Sequence, residues 1–178
     1  MTSLAMQNEW VWADVSPLVL PSAAATQALA ALIGQMADPG LVILLEGNLG
    51  SGKTTFVQGL GQGLGIPEPI DSPTFVLLQE YYSGRIPLFH CDLYRLDSVS
   101  AEDLGLEELW SGRGMTAIEW PQHLSQLPPT YLWLHLQLDP QMDGSRFLHS
   151  KGKGSLPAQL WQQVLSAFSQ TPYGHFAN

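Results

Sequence analysis

Positive charge is scarce in this chain: seven Lys and Arg stand against sixteen Asp and Glu, a formal charge of −9 over 178 residues. A surface of that sign repels phosphate backbones and excludes a broad electrostatic grip on nucleic acid. It is compatible with an acidic pocket for a basic substrate, or simply with a solvated acidic exterior. Cysteine is nearly absent. With Cys91 alone, neither an intramolecular disulfide nor a cysteine zinc cluster can form. The histidines, His90, His123, His135, His149 and His175, never fall at H-x-x-x-H spacing, which argues against a protein zinc site. No apolar run approaches the roughly 18–20 residues that span a bilayer. The opening "MTSLAMQNEWVWADVSP" carries acids where a secretory signal carries bases. A soluble, reducing, cytoplasmic setting without membrane contact is the expectation.

What is present suits one globular domain over residues 1–178, with 1–20 as an N-terminal extension or strand and 171–178 as a frayed tail. Ser22 is placed to cap a helix whose Leu29, Leu32, Ile33 and Met36 recur at helical spacing until "DPG" at 38–40. Leu41 to Leu45 is a continuous apolar run that suits a strand buried on both faces. A second helix follows from Thr54 with Phe56, Leu60 and Leu64 on one face. Gly59, Gly61, Gly63 and Gly65 weaken it by roughly 1 kcal/mol each against Ala, so it either ends early or packs unusually closely.

Residues 75–82 and 86–93 flank "SGR" and predict a hairpin, and Ser100 with Asp103 fits a cap before a short helix. "MTAIEW" reads as a brief strand, while Leu132, Leu134, Leu136 and Leu138 alternate along another. "SRFLHSKG" is a weaker strand, and Pro157 opens a helix with Leu160, Trp161, Val164, Leu165 and Phe168 inward. The order predicts an α/β fold: a mostly parallel sheet with some antiparallel hairpin character and helices on both faces.

One of the few cations sits in a glycine loop. Gly47-Asn48-Leu49-Gly50-Ser51-Gly52-Lys53-Thr54 matches G-x-x-x-x-G-K-[ST], between a buried strand and a helix, the context this P-loop motif requires. Glycines let successive N–H groups converge on an anion, and the helix N-terminus adds its dipole. Lys53 would meet the β- and γ-phosphates, and Thr54 would offer its hydroxyl to Mg²⁺. "GRGMTA" at 112–117 fits a dinucleotide pattern on paper but precedes a strand instead of following one, so it reads as a loop.

A phosphate loop needs a carboxylate for Mg²⁺ or its water shell, and a group to orient water. Asp92 and Glu119 each end an apolar strand, on the sheet edge where such groups belong. Which of them contacts metal directly is left open. Ser72 and Thr74 flank Pro73 and could reach metal or γ-phosphate as a switch segment does, or simply make a turn. Arg95 could pair with Asp92 or reach transition-state charge.

"GNLGSGKTT", "SPTF" at 72–75, "HCDLYRL" at 90–96 and "IEW" at 118–120, in that order, resemble the TsaE (YjeE) family of small bacterial P-loop ATPases. The resemblance runs from about Ser22 to Arg146. It implies ATP/ADP and Mg²⁺ as cofactors, a role in threonylcarbamoyladenosine modification of tRNA, and TsaD and TsaB as partners. It also implies phosphate binding by Gly50 to Thr55, with Thr54 on Mg²⁺. Asp92 becomes the family's essential acid and Glu119 its second, metal-linked acid, Trp120 a tryptophan near the nucleotide, and Thr26 and Arg146 further nucleotide contacts. Cys91 stands where the family often has a bulkier residue. The acidic charge then fits a nucleotide-driven subunit that meets tRNA only indirectly.

The leading expectation is a Mg²⁺-dependent ATPase, slow in isolation because few cations serve its transition state. A small-molecule kinase is the alternative, weakened by dispersed arginines. A nucleotide-gated interaction module without essential hydrolysis is a third. A GTP preference is disfavoured, since no N-K-x-D base-reading motif occurs.

Overall fold

These patterns become eight strands and four α-helices in a computed structural model that describes residues 11–13, 16–98, 100, 102–110 and 112–174. In chain order they are β1 (Val11–Ala13), β2 (Leu18–Leu20), α1 (Ala23–Met36), β3 (Val42–Glu46), α2 (Lys53–Leu64), β4 (Leu78–Tyr81) and β5 (Leu88–Asp92). Then follow α3 (Leu106–Trp110), β6 (Met115–Glu119), a 3₁₀ turn (Pro121–His123), β7 (Tyr131–Leu138), β8 (Arg146–Lys153) and α4 (Ser155–Phe168). Residues 1–10, where part of the expected N-terminal extension falls, lie outside the described residues.

One sheet runs in the order β1-β8-β7-β3-β6-β5-β4, with β2 pairing the other end of β8. β7, β3, β6 and β5 are parallel. β4 at one side, and β8 with β1 and β2 at the other, are antiparallel. The antiparallel share thus exceeds the one hairpin expected. β1 and β2 are three residues each, too short to carry a readable period, and they make β8 an interior strand instead of a weak one.

The run at β3 is buried on both sides as a central parallel strand requires. Ile43 and Leu45 join a core with α1, α2 and α4, while Val42 and Leu44 join a smaller one with Leu106 of α3. Helices therefore lie on both faces, unequally. Ser22 caps α1, its Oγ accepting from Ala25 N at 3.1 Å. α2 runs unbroken because its glycines let it touch α1: a Cβ at Gly63 would sit 2.0 Å from Ala31 O, and one at Gly59 2.5 Å from Gln27 O. The close-packing expectation holds and the early end does not.

Four local expectations are corrected. The first hairpin strand starts at Leu78, because Val76 and Leu77 donate to Pro73 O at 2.9 and 2.7 Å and make 75–77 a turn. Ser100 Oγ does accept from Asp103 N at 3.0 Å, but the chain turns through Gly105 at φ 66° and α3 begins only at Leu106. Leu138 runs past the core edge and is exposed. Of the expected frayed tail, Thr171 to Gly174 is anchored, with Thr171 N and Oγ1 both donating to Phe168 O and Tyr173 packing on the core, while residues 175–178 lie outside the described residues. Among the described residues no helix is long and apolar enough to cross a membrane.

Candidate functional site

The parallel strands end on one edge, and three of those ends deliver chemistry. β3 runs into Gly47, β5 ends at Asp92 and β6 at Glu119, with Asp92 and Glu119 directly paired across the ladder. Gly47 is needed because a Cβ there would lie 2.4 Å from Leu136 O. Gly52 adopts φ 105° and starts α2 with no side-chain cap. The first-turn amides of α2 have no intrahelical acceptors and open on a cleft of about 280 Å³. Leu49, Gly50, Gly52, Lys53, Thr54 and Thr55 line it from the loop; Ser72, Thr74, Asp92, Tyr94, Glu119, Trp120 and Arg146 complete it.

Contacts inside the cleft link the expected residues. Thr54 Oγ1 donates to Glu119 Oε1 at 3.0 Å. Asp92 accepts from Ser72 Oγ at 3.2 Å and from the Thr74 hydroxyl on one oxygen, and from Tyr94 N at 2.9 Å on the other. Lys53 folds back on its own loop, donating to Gly47 O at 2.8 Å and Asn48 O at 3.0 Å, with its ammonium 4.1 Å from the Trp120 ring centroid. Burial pushes the Lys53 pKa down, opposed by the charges of Glu119 and Asp92. Trp120 itself holds φ 62°, a conformation non-glycine residues rarely adopt.

Other expected residues take supporting positions. Gly47 and Asn48 present carbonyls to Lys53, and Ser51 is buried, its O accepting from Arg146 Nε at 3.1 Å. Thr26 is the exception: it is fully buried in α1, its hydroxyl donating to Ser22 O at 3.2 Å, outside the cleft. Arg95 does not pair with Asp92 but lies over the exposed ring of Phe75 at 4.2 Å. Cys91 packs in the smaller core, where burial, then Asp92 and Glu119, push its thiol up to about 12. Two neighbours of these residues had no assigned role in the sequence: Tyr94, which lines the cleft and stacks on Trp120 with centroids 4.9 Å apart, and His90, which lies outside the lining with its Nε2 2.9 Å from Glu119 Oε1. The signal was there, since His90 shares a strand face with Asp92 at period two.

The donor chemistry suits Mg²⁺ bound with a polyphosphate. Among the described residues no cluster of three His, Cys, Asp or Glu builds a protein-only cage. Mg²⁺ takes oxygen ligands, commonly one or two carboxylates with substrate phosphates, and Thr54, Glu119 and Asp92 offer just oxygens. A second cavity of about 210 Å³ lies at the opposite end of β3, lined by Met36, Leu41, Leu156 and Leu160, with Asp38 its sole ionisable lining residue.

A glycine loop between a buried strand and an amide-presenting helix, with acids on the two neighbouring strand ends, defines a P-loop-type α/β protein. The family model described as "Threonylcarbamoyl adenosine biosynthesis protein TsaE" matches residues 20–147, and the chain belongs to the TsaE family. A tRNA threonylcarbamoyladenosine biosynthesis protein TsaE from Nostoc is 49% identical over 67% of this chain and 76% of its own length. The protein of that name from Bacillus subtilis is 46% identical over 58% and 65%. The crystal structure of Bacillus subtilis YdiB superposes with a TM-score of 0.71 at 31% identity, covering 90% of this chain and 96% of YdiB.

Proposed function

We propose that this TsaE-family protein is a Mg²⁺-dependent ATPase that supports TsaB and TsaD in threonylcarbamoyladenosine modification of tRNA. The observation carrying the reading is the convergence of Lys53, Thr54, Asp92 and Glu119 on one cleft. Lys53 exchanges the carbonyls of Gly47 and Asn48 for the β- and γ-phosphates, and the loop amides take the remaining phosphate charge. Thr54 and Glu119 would hold Mg²⁺, which when bound would supply positive charge to offset that of the phosphates. Asp92 orients the attacking water, its own carboxylate set by Ser72, Thr74 and the Tyr94 amide. Trp120 and Tyr94 flank the nucleotide, and tRNA is met only through the partner subunits, in keeping with the acidic charge.

Arginine supply limits the rate. Arg85 is committed to Gly34 O and Ala37 O, Arg95 lies on Phe75, and Arg146 is the arginine lining the cleft. That distribution also weighs against a kinase lid. The test is phosphate release from ATP with and without Mg²⁺. The isolated protein should turn over more slowly than about one per second, Lys53→Ala should abolish turnover, and adding TsaB and TsaD should raise it. Phosphorylated metabolite in place of free phosphate would favour the kinase. Full tRNA modification by Glu119→Ala in the complete system would favour the nucleotide-gated module.

A further inference from the structure

We propose that His90 is the positioning residue for Glu119, holding its carboxylate through an Nε2–H donor. The inference rests on Glu119 belonging to the nucleotide–metal site. His90 is fully buried at the middle of β5, and its Nε2 lies 2.9 Å from Glu119 Oε1. The same oxygen accepts from Thr54 Oγ1 at 3.0 Å. These two partners differ in what else they can do. Thr54 is a candidate metal ligand whose hydroxyl is needed elsewhere when the site fills, whereas His90 sits behind Glu119 in the sheet and is absent from the cleft lining. His90 therefore keeps its hold whether or not the site is occupied, and leaves the other carboxylate oxygen to serve the cleft.

The hydrogen-bond inventory fixes where the proton sits. Nδ1 of His90 is buried and has no partner among the described residues. A proton there would be a buried donor with nothing to donate to, while a bare Nδ1 is a weaker loss. The proton is on Nε2, aimed at the carboxylate. Partners of this kind, one shell behind a metal ligand, change metal affinity by about 10–100-fold when removed.

Two measurements on the full chain test this without using turnover. In the ligand-free protein, ¹⁵N NMR of labelled histidine should show His90 protonated at Nε2 and bare at Nδ1. A proton on Nδ1 would overturn the assignment. ADP binding by calorimetry should then be compared in EDTA and across a Mg²⁺ series for wild type, His90→Leu and His90→Gln. In EDTA both variants should match wild type within about twofold. His90→Leu should need about tenfold more Mg²⁺ or above to reach the Mg²⁺-bound affinity, and His90→Gln, which restores an N–H donor, should recover part of that loss. Wild-type Mg²⁺ dependence in both variants overturns the proposal, and His90→Gln keeps the test alive if His90→Leu does not fold. Loss of Mg²⁺-free ADP binding only in Lys53→Ala would leave the nucleotide site standing even where the role of His90 falls.

Discussion

The face of the sheet covered by α1, α2 and α4 and the edge where its parallel strands end are built from opposite materials. On the face, Leu29, Ile33, Phe56, Leu60, Trp161 and Phe168 are buried together in the larger apolar core, and α1 meets α2 backbone to backbone at Gly34, Gly59 and Gly63. At the edge, Lys53, His90, Asp92 and Glu119 are equally buried, 4% exposed or less, yet each is ionisable. Shape complementarity stabilises the first region. The second withdraws charge from water, which opposes folding unless partners offset it. The difference teaches where stability and function separate: substitutions on the face should unfold the protein and leave site chemistry intact, and substitutions at the edge should do the reverse.

The largest expected effect tests the face. Trp161→Ala empties a fully packed position of α4, beyond residues 20–147 that match the family model, and should cost about 3–5 kcal/mol in denaturant unfolding. A small loss would make α4 an appendage instead of part of the core. Next comes Gly63→Ala, whose new methyl would meet Ala31 O at 2.0 Å. It should destabilise by about 1–3 kcal/mol through overpacking, although the same exchange in an exposed helix helps.

Lys53→Met reverses the pattern. Because burial holds the Lys53 pKa below its ordinary value, the unfolded chain binds this proton more tightly, and the group destabilises the fold at neutral pH. Its contribution improves as pH rises from the folded toward the unfolded pKa. Lys53→Met should therefore match or slightly exceed wild-type stability at pH 7, lack that alkaline improvement, and lose ATP binding. A variant that unfolds would show the lysine to be structural. The smallest effect is an absence: with its thiol pushed up to about 12 and buried, native Cys91 should resist alkylation at pH 8 and react only on unfolding. Rapid labelling of native protein would mean the smaller core opens readily.

How far the sequence could be read follows the same division. The phosphate loop was legible because only glycines tolerate its geometry and only one cation stands there, and Asp92 and Glu119 because strand ends are marked by the loss of apolar pattern. Arg146 lines the cleft from β8, while Thr26 is buried within α1 outside it, since a helix position names a face but not what the neighbouring helix covers. β1 and β2 were legible only as an undivided extension or strand over residues 1–20, because three-residue strands have no period. His90 escaped because its meaning depends on Glu119, twenty-nine residues away on the adjacent strand. The turn at 75–77 was hidden by an apolar string, "FVLL", that suits a strand until Pro73 O captures two amides.

The most direct measurement is a crystal structure grown with ADP and Mg²⁺. The account predicts the diphosphate over the amides of Gly50 to Thr54, with Lys53 Nζ moved from Gly47 O and Asn48 O onto phosphate and an ion beside Thr54 and Glu119. A nucleotide lodged elsewhere, or Lys53 still bonded to its own loop beneath a bound diphosphate, would contradict it.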